Sequence, residues 1–317
     1  MTIEGTCDDR FSAVREAFAA NFVPKESGVF DQGASVALTI DGELLVDLWG
    51  GTAHRDAGPD LPWERDTIIN VWSTTKTVSA LALLILADQG ELDLYAPVAK
   101  VWPEFAAAGK GGIEVRHVMS HTAGLSGWQE PITYETLYDA EKAAALLAAQ
   151  EPWWEPGTAS GYHAVTQGYL EGEIVRRVTG QTIGQFVAEN ITGRLGADFH
   201  IGTAAEHDDR VALVVPPPPL AMDGVDPESV AARTFMNPVM DATMSWEIPW
   251  RRAEIPAAGG HGNARSVALI HTPMACGGEA NDLRLLSRAG VDVVFDEQIN
   301  GTDLVLGIPL RHGIGFG

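Results

Sequence analysis

The run Val78-Ser-Ala-Leu-Ala-Leu-Leu-Ile-Leu-Ala87 constrains this chain more than any other stretch of it. Its residues are apolar or small all round a helix, which marks a helix enclosed by protein rather than one lying on a surface. It is too short to cross a bilayer. Ser73-Thr-Thr-Lys76 opens it, where an extended segment, Thr67–Trp72, gives way to the helical run. Positions i and i+3 share a helix face, so the hydroxyl and the amine point into one space. Read alone, the pair fits an N-cap serine followed by a solvated lysine. At the mouth of an interior helix it also fits a nucleophile with its base. Desolvation lowers the pKa of a lysine towards the range where it accepts a serine proton. The N–H groups of a helix start favour a developing oxyanion.

The chain of 317 residues is long enough for one large domain or two lobes. Lys plus Arg number 21 and Asp plus Glu 43, a net charge of −22, which argues against nucleic acid and anionic membranes as partners. The N-terminal residues lack a basic region followed by an apolar core, so no signal peptide is expected. Cys7 and Cys276 are too few for a disulfide framework, and two reduced thiols in a cytoplasmic protein are expected. His117 and His121 stand i, i+4 apart without a Glu-bearing His-Glu-x-x-His or a third ligand, so no metal is expected. Gly-x-Ser-x-Gly, phosphate-loop and dinucleotide patterns are absent, and no cofactor is called for.

Along the chain, Asp8 and Asp9 can cap a first helix with Phe11, Val14, Phe18 and Phe22 on one stripe. Ser35–Ile40, Asp41-Gly42 and Glu43–Trp49 read as a β-hairpin. Helices are expected over Thr77–Gln89, Val115–Ser120, Leu137–Gln150, Gln167–Thr179, Ile183–Ile191 and Ala264–Ala275, with Pro273 ending or kinking the last. Residues 203–258, with prolines in a row at 216–219, read as an irregular segment of the kind that walls a pocket. Short strands are expected at Asp292–Phe295 and Leu304–Leu306.

The second polar cluster is Glu155-Pro-Gly-Thr-Ala-Ser-Gly-Tyr162-His163-Ala164. Pro156-Gly157 forces a turn, and Tyr162 falls where the loop is about to enter a helix. Such a tyrosine fits a core residue at a loop–helix junction. Placed beside Ser73 and Lys76 it fits a proton relay, because a phenol next to an ammonium ionises more readily than in water.

Four motifs, Ser73-Thr-Thr-Lys76, Ile113-Glu-Val-Arg-His-Val-Met-Ser-His-Thr-Ala-Gly-Leu125, Trp154-Glu-Pro-Gly-Thr158 and Tyr162-His-Ala164, stand in the order seen in serine β-lactamase-like hydrolases. The chain most resembles their esterase branch, the family VIII carboxylesterases, relatives of class C β-lactamases and D-Ala-D-Ala carboxypeptidases. The resemblance implies an α+β fold of β-lactamase/transpeptidase type: an antiparallel sheet flanked by helices, plus an inserted all-helical lobe. Residues 1–70 and 291–317 would form the α/β lobe and 71–290 the mainly helical one. It implies Ser73 as acylated nucleophile, Lys76 and Tyr162 as general acid and base, and a small carboxylic ester as substrate. Trp72, Trp128, His163 and Trp246 are candidate walls of its pocket.

The chain departs from the family pattern twice. Tyr162-His163-Ala164 replaces the Tyr-x-Asn of β-lactamases, which removes the amide that orients a lactam and shifts the expectation to esters. The family's third motif, Lys-Thr-Gly or an esterase His/Trp-Gly-Gly, lies in relatives beyond the segment resembling Gly313-Ile-Gly-Phe316. Gly260-His261-Gly262-Asn263 resembles a different, structural segment. These points lead to the expectation of a shortened member whose C-terminal strands are missing and whose incomplete sheet is covered by a second copy or a partner chain. A β-lactamase or D-amino-acid peptidase with the same triad, and a catalytically impaired homologue, are the alternatives.

Overall fold

The β-lobe begins earlier than the sequence patterns suggest. The computed structural model describes residues 2–25, 28, 30–55, 59–217 and 226–317. Strand β1 (Ile3–Cys7) precedes a 3-10 turn capped by Asp8, whose side chain accepts the Arg10 N–H at 3.0 Å, and helix α1 (Ser12–Asn21) follows. Strands β2 (Gly33–Ile40) and β3 (Glu43–Ala53) form the expected hairpin. Asp41 and Gly42 both take positive φ, 51° and 87°, the geometry that matches the twist of paired strands. All pairing is antiparallel in the order β1-β3-β2, with the short β4 (Leu61–Pro62) on the end of β3. Strand β1 carries Gly5 at φ 101°, where a Cβ would sit 2.0 Å from the Asp47 carbonyl oxygen, so only glycine permits this crossing.

Side chains alternate across this sheet, as a period of two requires. Val36, Leu38, Val46 and Leu48 face α1 and pack on Phe18, with Phe11, Val14 and Phe22 alongside. Ser35, Thr39 and Asp47 face the other way, onto the helix Ala264–Ala275. There the Ser35 hydroxyl accepts the Ala264 N–H, Thr39 Oγ1 lies 2.8 Å from Thr272 Oγ1, and Arg265 donates to Asp47 at 3.0 Å. The helix Ala264–Ala275 is therefore a layer of the sheet lobe, not part of the helical lobe in which its sequence position put it. Its bounds match expectation, and Pro273 lies in its last turn.

A second, small sheet joins β5 (Ile68–Asn70), β6 (Phe199–His200), β7 (Val211–Ala212) and β8 (His261–Gly262) in the order β6-β8-β5-β7. From β5 the chain turns into α2 (Thr75–Asp88), the enclosed helix, whose residues Leu81–Leu86 are each at most 1% exposed. Helices α3 (Val115–Met119), α4 (Tyr134–Leu137), α5 (Ala140–Ala149), α6 (Thr166–Thr179) and α7 (Ile183–Val187) follow. One apolar core, centred on α2, runs through them. Asp139 interrupts the single helix expected over Leu137–Gln150, because its carboxylate caps α5 by accepting the Lys142 N–H. No helix among the described residues is long and apolar enough to cross a membrane.

The segment 203–258 is less irregular than expected. It holds short helices at Val230–Phe235 and Ile248–Arg252, with 3-10 turns at Ala205–Arg210 and Ala242–Trp246. Residues 218–225, including the last two prolines of the run, lie outside the described residues.

The C-terminal strands are displaced from their expected positions. Asp292–Phe295 is helical: Arg288–Asp292 is an α-helix capped by the Ser287 hydroxyl, and Val293–Phe295 continues as a 3-10 turn. The Asp88 carboxylate accepts the Ser287 N–H at 2.7 Å, and this anchored cap overrides the β-propensity of Val293, Val294 and Phe295. Leu304–Leu306 is a turn. The strands are Ile299–Thr302 and Pro309–His312, which among the described residues pair only with each other. Residues 291–317 therefore do not extend the N-terminal sheet. Gly315 donates to the Met119 carbonyl at 3.2 Å, so this tail packs on the helical lobe, at the mouth of the site.

Candidate active site

Ser73 stands on a tight strand-to-helix turn. Val71 donates to the Gly260 carbonyl at 2.8 Å, Trp72 takes φ 48°, and Trp72–Thr74 forms a 3-10 turn leading into α2. A non-glycine residue in the left-handed region costs about 1–3 kcal/mol and persists only where its surroundings hold it. Thr75 does the holding: its hydroxyl donates to the Trp72 carbonyl at 2.5 Å and accepts the Gly260 N–H at 3.0 Å. The Trp72 ring rests on Trp250 at 5.2 Å. Gly260-His261-Gly262-Asn263 is thus structural: it pairs with β5, braces this turn, and supplies Asn263 as the cap of the helix Ala264–Ala275.

Ser73 is exposed and Lys76 is buried directly beneath it. Lys76 Nζ lies 3.2 Å from Ser73 Oγ, 2.7 Å from the Ala164 carbonyl and 3.0 Å from the Ala257 carbonyl. The Tyr162 hydroxyl donates to Ser73 Oγ at 2.6 Å, and Nζ lies 4.8 Å from the centre of the Tyr162 ring. The structure therefore brings the three residues singled out in the sequence together around one hydroxyl.

Electrostatics sort these groups. Burial pushes the Lys76 amine down to about 7, against the partly opposing charge of Glu171. A neutral amine has two N–H bonds and one lone pair. Here the two N–H bonds have the Ala164 and Ala257 carbonyls as acceptors, which leaves the lone pair for the Ser73 proton. Burial also raises the Tyr162 phenol above its ordinary value; the hydrogen bond to Ser73 offsets this in part, and Asp303 adds to it. This corrects the expectation of a readily ionised tyrosine. The ammonium that would have promoted ionisation is itself suppressed by burial, so the phenol is a donor at neutral pH.

The loop carrying Tyr162 is fastened at every step. Gly157 donates to the Thr122 carbonyl, Gly161 to the His121 carbonyl, His163 to His121 Nδ1, and Tyr162 to the Asp303 carboxylate at 3.0 Å. The His121 ring packs against Tyr162 at 5.0 Å, and burial holds its pKa well below the ordinary value. His117 Nδ1 accepts the Glu114 N–H in the cap of α3, so the two histidines of the i, i+4 pair serve separate local structures. No group of three or more His, Cys, Asp or Glu among the described residues is arranged to hold a metal.

The four pocket candidates do not meet around Ser73. The cavity there, about 230 Å³, is lined by Ser73, Lys76, Tyr162, His121, Gln167 and His312, among others. Trp128 is a core residue, 3% exposed, whose Nε1 donates to the Ala143 carbonyl and whose ring meets Tyr169. His163 is fully buried and is used up as a pin: Nδ1 donates to the Gly161 carbonyl at 2.6 Å and Nε2 accepts the Leu125 N–H at 3.1 Å. Burial lowers its pKa to about 4, consistent with that neutral form. Trp246 lines a different cavity, of about 340 Å³, with Gln32 and His54. Trp72 adjoins Ser73 but leans on Trp250.

Sequence reasoning missed Glu171 and Asp303. Glu171, fully buried on α6, accepts from Gln167 Nε2 at 2.9 Å, and burial raises its pKa to about 8. A glutamate inside a helix carries no sequence mark of burial. Asp303 had a visible signal, since Asp followed by a short run to Gly307 suits a side-chain-capped turn.

The beta-lactamase family model matches residues 27–317, and the chain belongs to that family. It is 37% identical, over 324 residues, to the esterase/beta-lactamase LipL of Mycobacterium tuberculosis (strain ATCC 25618 / H37Rv), covering 98% of this chain and 74% of the relative. A crystal structure of a family VIII carboxylesterase superposes with a TM-score of 0.91 at 41% identity, covering 99% of this chain and 83% of that one. A penicillin-binding protein homologue from Caulobacter crescentus gives 0.90 at 40% identity, covering 99% and 82%. The expected fold, an enzyme fold of β-lactamase/transpeptidase type, is borne out, as is the resemblance to the carboxylesterase branch.

Proposed function

We propose that this chain is a carboxylesterase that cleaves small esters by two-step acyl transfer through Ser73. The observation that carries the reading is the network Tyr162 O–H to Ser73 Oγ to Lys76 Nζ, with an exposed nucleophile over a buried amine. Ser73 Oγ attacks the ester carbonyl carbon as its proton passes to the lone pair of Lys76. The start of α2 and the Ser73 N–H favour the negative charge on the carbonyl oxygen. As the tetrahedral intermediate collapses, the C–O bond to the alcohol breaks, Tyr162 donates its proton to the leaving oxygen, and Lys76 returns a proton to Tyr162. Water then attacks the acyl-enzyme, gives up a proton to the same pair, and Ser73 leaves reprotonated. The net change is ester plus water to acid plus alcohol, with no metal or organic cofactor.

Ester is preferred to lactam because Ala164 offers only its carbonyl, which is already bound to Lys76, and no side-chain amide. The test compares a short-chain nitrophenyl ester with a chromogenic cephalosporin on the chain and on Tyr162→Phe. Ester turnover that exceeds cephalosporin turnover and falls at least a hundredfold in the variant supports the reading, on the usual scale for a general acid. A wild-type rate in Tyr162→Phe overturns it.

A further inference from the structure

Tyr162 stands in a loop without regular secondary structure, yet its phenol must stay within hydrogen-bond reach of Ser73. The C-terminal hairpin supplies the fixed point. Asp303, 1% exposed, opens the turn between Ile299–Thr302 and Pro309–His312. Its Oδ1 accepts the N–H groups of Tyr162 at 3.0 Å, Val305 at 2.9 Å and Leu306 at 2.9 Å. Leu304 donates to the Ser160 carbonyl at 2.8 Å, so the same turn grips the loop on both sides of Gly161. Oδ2 is buried with no hydrogen-bond partner among the described residues.

We propose that Asp303 is a positioning residue for Tyr162, tying the hairpin turn to the catalytic loop and holding the phenol on Ser73. The inference rests on the reading that Tyr162 moves the proton. The Asp303 charge adds to the burial that raises the Tyr162 phenol above its ordinary value. Lys76 and Ser73 on the α2 side, His121 after α3, His163 beside Tyr162 and His312 on the hairpin face this space, and burial disfavours the charged form of Lys76 and of each histidine. Asp303 is thus the anion that works against phenolate formation and preserves Tyr162 as a donor.

Asp303→Asn keeps an oxygen in the Oδ1 position and removes the charge, whereas Asp303→Ala removes both. The measurements are kcat and KM for the nitrophenyl ester across pH, with thermal melting of each variant. Asp303→Ala is expected to lower kcat about tenfold with KM little changed, on the scale set by misorienting a catalytic group. Asp303→Asn is expected to recover most of that loss and to move the basic limb of the profile to lower pH. Wild-type kcat in Asp303→Ala, an unmoved basic limb in Asp303→Asn, or loss of cooperative melting in both variants, overturns the inference. Tyr162→Phe separates this from the reading beneath it. An inactive Tyr162→Phe beside wild-type kcat in Asp303→Ala sinks the positioning role alone, whereas an active Tyr162→Phe sinks the reading.

Discussion

The Tyr162 and Ser73 hydroxyls lie 2.6 Å apart although 89 positions separate them in the chain. In the proposed reaction the phenol donates, so the Ser73 proton leaves in another direction, towards the Lys76 amine 3.2 Å away. This order of donors fixes how activity should depend on pH.

Only neutral Lys76 accepts a proton, and burial brings its pKa down from 10.5 to about 7. Below that value the ammonium dominates, so kcat/KM should fall about tenfold per pH unit, and it should reach a plateau above it. A pH–rate profile for a neutral ester checks this. An acid limb near the ordinary lysine value would contradict a desolvated base.

Burial raises the Glu171 pKa to about 8, above the Lys76 value of about 7, so Glu171 is mostly protonated over the acid limb. Glu171→Gln retains the shape and the contact to Gln167 but cannot ionise. The acid limb of the profile should therefore stay near its wild-type position while the fold survives. A limb moved to lower pH would mean that Glu171 carries its charge beside Lys76 in that range.

Gly168 lies in the first turn of α6, where an added Cβ would come within 2.3 Å of the Ala257 nitrogen. The neighbouring Ala257 carbonyl binds Lys76. Gly168→Ala should cost about 1–3 kcal/mol of stability, as overpacking does. It should also lower kcat by pushing residues 256–257 away from the amine. Denaturant unfolding together with kinetics reads both effects, and unchanged values in both would refute the close packing.

Trp128 separates core from pocket. Trp128→Phe should lower stability by on the order of 1–3 kcal/mol through the lost Nε1 hydrogen bond and contacts. It should leave KM for small esters unchanged. A raised KM at full stability would return Trp128 to the pocket wall.

The parts of the site that the sequence made legible are those marked by local chemistry. Ser73 and Lys76 stand out because a polar pair opens a helix with no polar face, and Asp41-Gly42 because its turn accepts positive φ. What was hidden depends on long-range contact. Strand β1 is short and mostly exposed, and only its pairing with β3 defines it. Val293–Phe295 reads as a strand until the Asp88 carboxylate, from the end of α2, anchors the cap at Ser287. Trp128 and His163 look like pocket residues by proximity in sequence, but their rings are spent on Ala143, Leu125 and Gly161. Tyr162 was recognisable from its motif, whereas its suppressed ionisation follows from burial that no motif displays.

The central claim is that Ser73 carries the acyl group. Its most direct test is intact-mass and peptide analysis after treatment with an aryl phosphonate ester, which leaves a stable adduct on an activated serine. The account predicts one adduct, on the peptide containing Ser73, and none on Ser73→Ala. An adduct on another residue, or equal labelling of Ser73→Ala, would contradict it.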